Sequence, residues 1–433
     1  MKQLISVTAL MLSMAACSSD PAPGGGSGGS SSPTGGASAT GGKSSGSGGS
    51  GSGVAGTPSG GSAATVGGSS GNTGGAGSIA GAPGMGGTSA GGTSAGGTSA
   101  GGRNAGGSTS TGGSAAGGMP ATGGSGPGAT FKCDNLSLAP SMTGVAKPAG
   151  AAGGLKVLDW AGFKGAASFT FDDNTPSQLG TNYNSMKATG AHITWFLIAS
   201  SAGSGYKATI ADGQEIANHT QSHPDASSNA SLATQAQVTN AQSTLKTNYG
   251  VDVRSMAAPN CLEAWKQYAA PAKLFQNRGP CGGSAAAVSP RDSTDPFLLP
   301  AFLPPGSADA STYGGQITAG KWRIFVIHGF DSQGGTYQPV SISGVTGGMT
   351  KAISDGFWVE GMTNVGAYWQ GQKLIPASAT TTATWTLPAN FPPNMCVRIT
   401  TTGGTVTQKN ETISWDPHGY YQISLDAGAV TVE

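Results

Sequence analysis

Two adjacent carboxylates at the end of an apolar run are the first residues in this chain with the means to do chemistry. Asp172 and Asp173 close the stretch Ala166 to Phe171 (AASFTF), which has strand character. One carboxylate of such a pair can bind a cation while its neighbour stays free as a base; the same pair can also do no more than cap a turn. The second group is His219-Thr220-Gln221-Ser222-His223-Pro224, which sets two of the chain's 5 histidines four apart. Imidazoles at that spacing can face one metal from a turn or a helix, and Pro224 argues against a continuing helix. Neither Thr220 nor Gln221 supplies the Glu of the H-E-x-x-H metalloprotease helix. The third is Trp322 to Phe330 (WRIFVIHGF), which places His328 at the end of another apolar strand beside Gly329. A strand-end His by itself is more often structural than catalytic.

Groups so far apart in sequence need a frame that brings strand ends together. Ala166 to Phe171, His192 to Ile198, Ile216 to Asn218, Val251 to Ala257 and Lys321 to Ile327 read as strands. Pro176 to Thr189 reads as a helix stopped by Gly190, and Leu232 to Tyr249 as a polar helix stopped by Gly250. Strands alternating with helices imply parallel pairing, in an open α/β sheet or a barrel, with sites at the C-terminal strand ends. Ala286 to Tyr313 reads as loop. After about Ile375 only short β-like runs remain, which predicts a small β domain over 376–433, with a sandwich as a candidate arrangement.

Together the three groups resemble the polysaccharide deacetylases of carbohydrate esterase family four, the NodB-homology fold. That family carries T-F-D-D, then H-[ST]-x-x-H-P, then a strand-end His in this order. The resemblance spans about Ala166 to Gln372, and Phe357 to Trp369 looks like the family's last strand and helix. It implies a distorted parallel (β/α) barrel over 130–375 and a divalent metal, usually zinc. It further implies that Asp173, His219 and His223 are the metal ligands, Asp172 the general base and His328 the general acid. The expected reaction is removal of O- or N-linked acetyl groups from a polysaccharide of the xylan, chitin or peptidoglycan type. Two departures stand out. Asn174 follows the paired Asp where the family has Gly. The third motif, R-x-P-[YFW], is matched only by Met256-Ala257-Ala258-Pro259-Asn260, with Arg254 too far upstream. No Asp–Trp element supporting the acid His is recognisable; Asp292, Asp295 and Asp331 are the candidates. These departures keep open a carbohydrate-binding protein with an inactive barrel. Hydrolysis of a cyclic amide on the same fold is disfavoured by the complete metal set.

The rest of the chain bears on location. Only 9% of its 433 residues are charged, because 76 glycines are concentrated before residue 130. The segment 18–129 is Gly, Ser, Ala and Thr, with a Gly-Gly-Thr-Ser-Ala repeat from Gly86 to Ala100, and is expected to be a disordered linker. As a random coil it would span about 60 Å r.m.s.. A net charge of +1 offers no case for nucleic acid or an anionic membrane surface. Lys2 followed by the short apolar run Leu4 to Ala16 reads as a secretory signal over 1–17. Its end, Met14-Ala15-Ala16-Cys17, resembles a bacterial lipoprotein signal, which implies a lipid anchor on Cys17 at the cell envelope; ordinary cleavage and secretion is the alternative. With Cys17 set aside, Cys133, Cys261, Cys281 and Cys396 form an even set in an exported protein, which favours disulfides. Three pairings are open. Cys261–Cys281 would close a short loop, contributing about 3 kcal/mol, and would leave Cys133–Cys396 to tie the start of the folded region to its end. The absence of a C-x-x-C pair speaks against a zinc cluster.

Overall fold

A computed structural model describes residues 131–330 and 336–433. The signal-like segment, the linker and Asp331 lie outside the described residues. Among the described residues no helix is long and apolar enough to cross a membrane.

The chain begins with β1 (Lys156–Val157), then β2 (Ala166–Asp172), α1 (Thr181–Lys187), β3 (Thr194–Leu197), α2 (Lys207–Ile210), β4 (Glu215–Asn218) and α3 (Gln235–Tyr249). It continues with β5 (Ser255–Ala257), α4 (Lys266–Ala269), β6 (Gln276–Gly282), β7 (Leu299–Phe302), α5 (Ala310–Gln316) and β8 (Trp322–Ile327). Then come α6 (Ile342–Ser354), β9 (Trp358–Val359) and α7 (Met362–Leu374). Strands β2 to β8 pair in parallel, and a β2–β3 pairing closes them into a barrel, with β9 added beside β2. The distorted parallel barrel expected from the sequence is therefore the fold.

Alternation along β2 sorts its side chains. Ala167, Phe169 and Phe171 face outward into a core shared with Met186 of α1, Val238 and Leu245 of α3 and Met349 of α6. Ala166 faces inward, into a core with Phe196, Ala217, Ala257, Trp322, Ile324 and Val326. That inner core continues through Val365 and Trp369 of α7 into Val397, Ile399 and Ile423. The N-terminus of α7 meets the N-terminal strand ends, where Thr194 Oγ1 accepts from Met362 N–H at 2.8 Å and Glu215 takes Thr363 N–H at 2.9 Å. Thus α7 closes the end of the barrel opposite Asp172.

The C-terminal strands are β10 (Thr382–Thr384), β11 (Cys396–Thr400), β12 (Val406–Gln408), β13 (Glu411–Thr412), β14 (Trp415–Asp416), β15 (Tyr420–Ser424) and β16 (Ala429–Val432). They form two four-stranded sheets, ordered β1-β11-β15-β14 and β10-β16-β12-β13. One sheet takes its edge strand β1 from the N-terminal side, and Asn135 bonds Cys396 through both its amide groups. Disulfides join Cys133 to Cys396 and Cys261 to Cys281. The first holds the returning N-terminal segment against β11, and the second ties the loop after β5 to β6.

Several local expectations are redrawn. The helix expected over Pro176 to Thr189 breaks at Gly180, whose φ of 64° and ψ of −131° are not helical, and Gln178 turns inward before it. Helix α3 starts at Gln235 because Thr234 caps it, and it ends on left-handed Gly250 as expected. The stretch read as loop holds β7 and the start of α5. Strand β6 is absent from the sequence reading: Gln276-Asn277-Arg278-Gly279-Pro280-Cys281-Gly282 has no apolar alternation and contains Gly and Pro. Two of its buried side-chain donors are met individually, Gln276 Nε2 by Met362 O at 2.8 Å and Asn277 Nδ2 by Phe297 O at 2.9 Å.

Candidate active site

The C-terminal ends of β2, β4, β6 and β8 bring the chemical groups to one rim of the barrel. Asp172 ends β2 and is 2% exposed. Asp173 follows at φ 71° and Asn174 at φ 44°, a region that glycine and, among other residues, Asn and Asp enter most readily. Asn174 also accepts from Ile198 N–H at 2.6 Å and donates to Ser201 Oγ at 3.0 Å. The side chain that departs from the family's Gly therefore adopts the same tight turn and fastens it to the end of β3.

His219 sits just past β4 and is 2% exposed. Its Nδ1 lies 3.0 Å from the Ala257 carbonyl. A carbonyl only accepts, which assigns the proton to Nδ1 and leaves Nε2 to face Asp173. His219 Nε2 is 3.3 Å and His223 Nε2 3.7 Å from Asp173 Oδ1. The two imidazoles come from a turn, not a helix: Thr220 and His223 have φ of 69° and 50°, and Thr220 Oγ1 accepts from His223 N–H at 3.0 Å. The candidate ligand atoms of Asp173, His219 and His223 all lie within 4.8 Å of one another. Asp173 Oδ1 is buried without a hydrogen-bond partner. An orphaned carboxylate oxygen facing two imidazoles, one with its tautomer fixed from behind, fits a divalent cation.

Asp172 is held differently. Arg278, 1% exposed on β6, donates from Nη2 to Asp172 Oδ2 and from Nη1 to Thr170 Oγ1 at 2.6 Å. The guanidinium lies 5.0 Å over the Phe196 ring. Burial pushes the Asp172 carboxyl up, but the charges of Arg278, His219 and His328 outweigh it and hold the group below its ordinary value. Asp172 Oδ1 keeps no hydrogen-bond partner and can accept one. Burial likewise raises the Asp173 carboxyl, and the His219 imidazole facing it outweighs that and holds the group below its ordinary value.

Arg278 is the candidate site residue that sequence reasoning missed. It is the register partner of Ala257, so it stands one strand away from the third-motif segment. A signal was present: a Cys261–Cys281 bridge places residue 278 close to that segment. Arg254, by contrast, lines a cavity of about 200 Å³ with Glu215, Asp252 and Glu360 at the N-terminal strand ends.

His328 follows β8, and its carbonyl accepts from Thr175 Oγ1 at 2.8 Å and Gln178 Nε2 at 2.9 Å. Its Nδ1 is buried with no hydrogen-bond partner among the described residues. Asp292 is engaged with the N–H groups of Ser289 and Thr294, and Asp295 with Lys266 and Phe297 N–H. Burial lowers the His328 pKa, and the Asp172 and Asp173 charges only partly offset it. Desolvation thus outweighs the nearby carboxylates and disfavours the imidazolium form.

Residues 162–271 match the family model described as polysaccharide deacetylase. Similar solved structures include the Xyl-CE4 domain of a multidomain xylanase from the hindgut metagenome of Trinervitermes trinervoides, at 15% identity and TM-score 0.33, covering 47% of this chain and 89% of that one. A peptidoglycan deacetylase from Bacillus subtilis is 16% identical with TM-score 0.31, covering 46% of this chain and 89% of its own. A family 4 carbohydrate esterase from Streptomyces lividans, in complex with acetate, is 16% identical with TM-score 0.33, covering 46% and 94%. No curated protein matches the chain.

Proposed function

We propose that this chain, which carries a polysaccharide deacetylase domain, is an exported hydrolase that releases acetate from an acetylated polysaccharide with the help of one divalent cation. The observation that carries the proposal is the meeting of Asp173, His219 and His223 beside a second, separately held carboxylate, Asp172. Asp173, His219 and His223 would hold the cation, zinc by preference for this nitrogen-rich set. When bound, it supplies Lewis acidity toward water and the acetyl carbonyl. Asp172 takes the proton of the attacking water on its free Oδ1, while Arg278 on Oδ2 keeps the carboxylate ionised and aimed. The proton for the departing sugar oxygen or nitrogen would come from His328, whose imidazolium form burial disfavours and the Asp172 and Asp173 charges partly restore. Export, with a lipid anchor on Cys17, belongs to the same reading, since a long tether would let the enzyme reach an extended polymer.

The experiment is acetate release from acetylated xylan, chitin oligomers and peptidoglycan, with and without chelator. Chelator-sensitive release from at least one polymer is expected; a zinc-loaded protein releasing acetate from none refutes the proposal. The rival reading, a carbohydrate-binding protein with an inactive barrel, has on its side a His328 Nδ1 with no partner among the described residues. Binding without acetate release in the same assay is its signature.

A further inference from the structure

We infer that Tyr337 is the sugar platform of this site, taking the C–H face of the pyranose whose acetyl group is removed, on the leaving-group side beside His328. The inference rests on the deacetylase reading and adds a residue that determines which substrates the site holds. Tyr337 is 58% exposed, and of the large apolar side chains exposed among the described residues it alone is aromatic. Its ring stands against the His328 imidazole, with centroids 5.1 Å apart and planes at 88°. The backbone near it is anchored on the C-terminal side. Val340 N–H donates to Gly329 O at 3.1 Å in a bridge between Phe330 and Val340, and Ser341 then caps α6. Gln338 Nε2 bonds the Tyr337 hydroxyl at 3.2 Å.

An exposed aromatic ring beside a buried imidazole suits a ligand with one apolar and one polar aspect. A pyranose is such a ligand: its axial C–H groups stack on the electron-rich face of an aromatic ring while its hydroxyls stay in water. His328 must come within hydrogen-bond reach of the leaving oxygen or nitrogen, so the sugar has to lie where Tyr337 forms a wall. A small aryl acetate needs no such wall, because its acyl group is held at the metal end of the site.

The test compares wild type, Tyr337→Ala and Tyr337→Phe on acetylated xylo-oligosaccharides, N-acetylchito-oligosaccharides and 4-nitrophenyl acetate. Tyr337→Ala should lose about ten-fold in kcat/KM on an oligosaccharide, mostly through KM, and change by less than about two-fold on the aryl ester. Tyr337→Phe, which keeps the ring, should match wild type on both. Equal losses on both substrate classes, a Phe variant as impaired as Ala, or an Ala variant with unchanged oligosaccharide kinetics would each overturn the inference. If wild type deacetylates neither oligosaccharide, the functional reading fails by itself. The platform is then judged by calorimetric binding of the same oligosaccharides: binding lost in Ala and kept in Phe supports it, and unchanged or absent binding overturns it.

Discussion

Replacing Arg278 by Met removes the guanidinium that touches Asp172 and leaves a carboxylate 2% exposed, with the His219 imidazole 3.8 Å away and His328 acting on it at longer range. An opposite charge in contact lowers a carboxyl pKa by about 1–3 units, so its loss should move the acid limb of the pH–rate profile up by about that much. Breaking a buried ion pair from one side costs about 3–5 kcal/mol of folding stability near neutral pH. The sign follows from the direction of the shift. In wild type the folded pKa of Asp172 lies below its unfolded value, so the pair contributes stability above the unfolded pKa and loses it as pH falls through the folded one. In Arg278→Met the folded pKa moves up from its wild-type position, so less of this pH-dependent stability remains to be lost and the gap to wild type narrows as pH falls. The assay is kcat/KM on 4-nitrophenyl acetate from about pH 4 to pH 9, with zinc content and urea unfolding in parallel. Because Ala257 and Arg278 are register partners, the double variant Ala257→Arg/Arg278→Ala should bring part of the acid limb back from the neighbouring strand. A folded, zinc-replete Arg278→Met enzyme with an unmoved acid limb would refute the reasoning.

Asp172→Asn should keep its metal and lose turnover by about a hundred-fold or more, whereas Asp173→Asn and His219→Ala should lose metal itself; equal metal content in all three would remove the proposed ligand set. His328→Ala should lose far more activity on acetylated sugar, a poor leaving group, than on an aryl acetate, with metal content unchanged, and equal losses on both would mark His328 as structural. At the other end of the barrel, burial lowers the His192 pKa, but the hydrogen bond and charge of Glu360, 2.8 Å away, raise it overall. Its stabilising contribution is complete below the unfolded pKa and fades as pH rises through the folded one, so His192→Gln should lower Tm at about pH 6 by more than at about pH 9; a deficit independent of pH would assign the loss to packing. Cys17→Ala should abolish incorporation of labelled palmitate when the chain is expressed in a bacterium, and undiminished labelling would rule out the anchor.

The groups legible in the sequence are those whose chemistry is written locally. Asp172-Asp173 follows its strand directly, and His219 and His223 share one turn, so spacing alone put each pair at a common place. Strands β2, β3 and β8 were legible because their apolar runs bury both faces of a barrel wall. Helix α3 was legible because Gly250 ends it. Strand β7 was hidden by Pro300 and by its length of four residues, Leu299–Phe302. The N-terminal strand β1 was hidden because its partner β11 lies at the far end of the chain.

The missing third-motif Arg has the same physical origin as the missing strand β6. A strand inside a barrel is recognised by apolar inward residues, yet Gln276 and Arg278 are inward groups whose polarity is matched by single distant partners, Met362 O, Thr170 and Asp172. Such a segment looks like loop until its partners are known. The base needs a cation at a fixed point in space, not at a fixed point in sequence. Register sets Arg278 beside Ala257, and the Cys261–Cys281 bridge fastens the loop after β5 to the strand that now carries the charge. With Ala at 257, the inner face of β5 leaves room for a guanidinium arriving from β6, while the Ala257 carbonyl stays in place to fix the His219 tautomer. In the proposed reading, one strand end orients a metal ligand through its backbone and its neighbour orients the base through a side chain. The two tasks need not be coded by one motif.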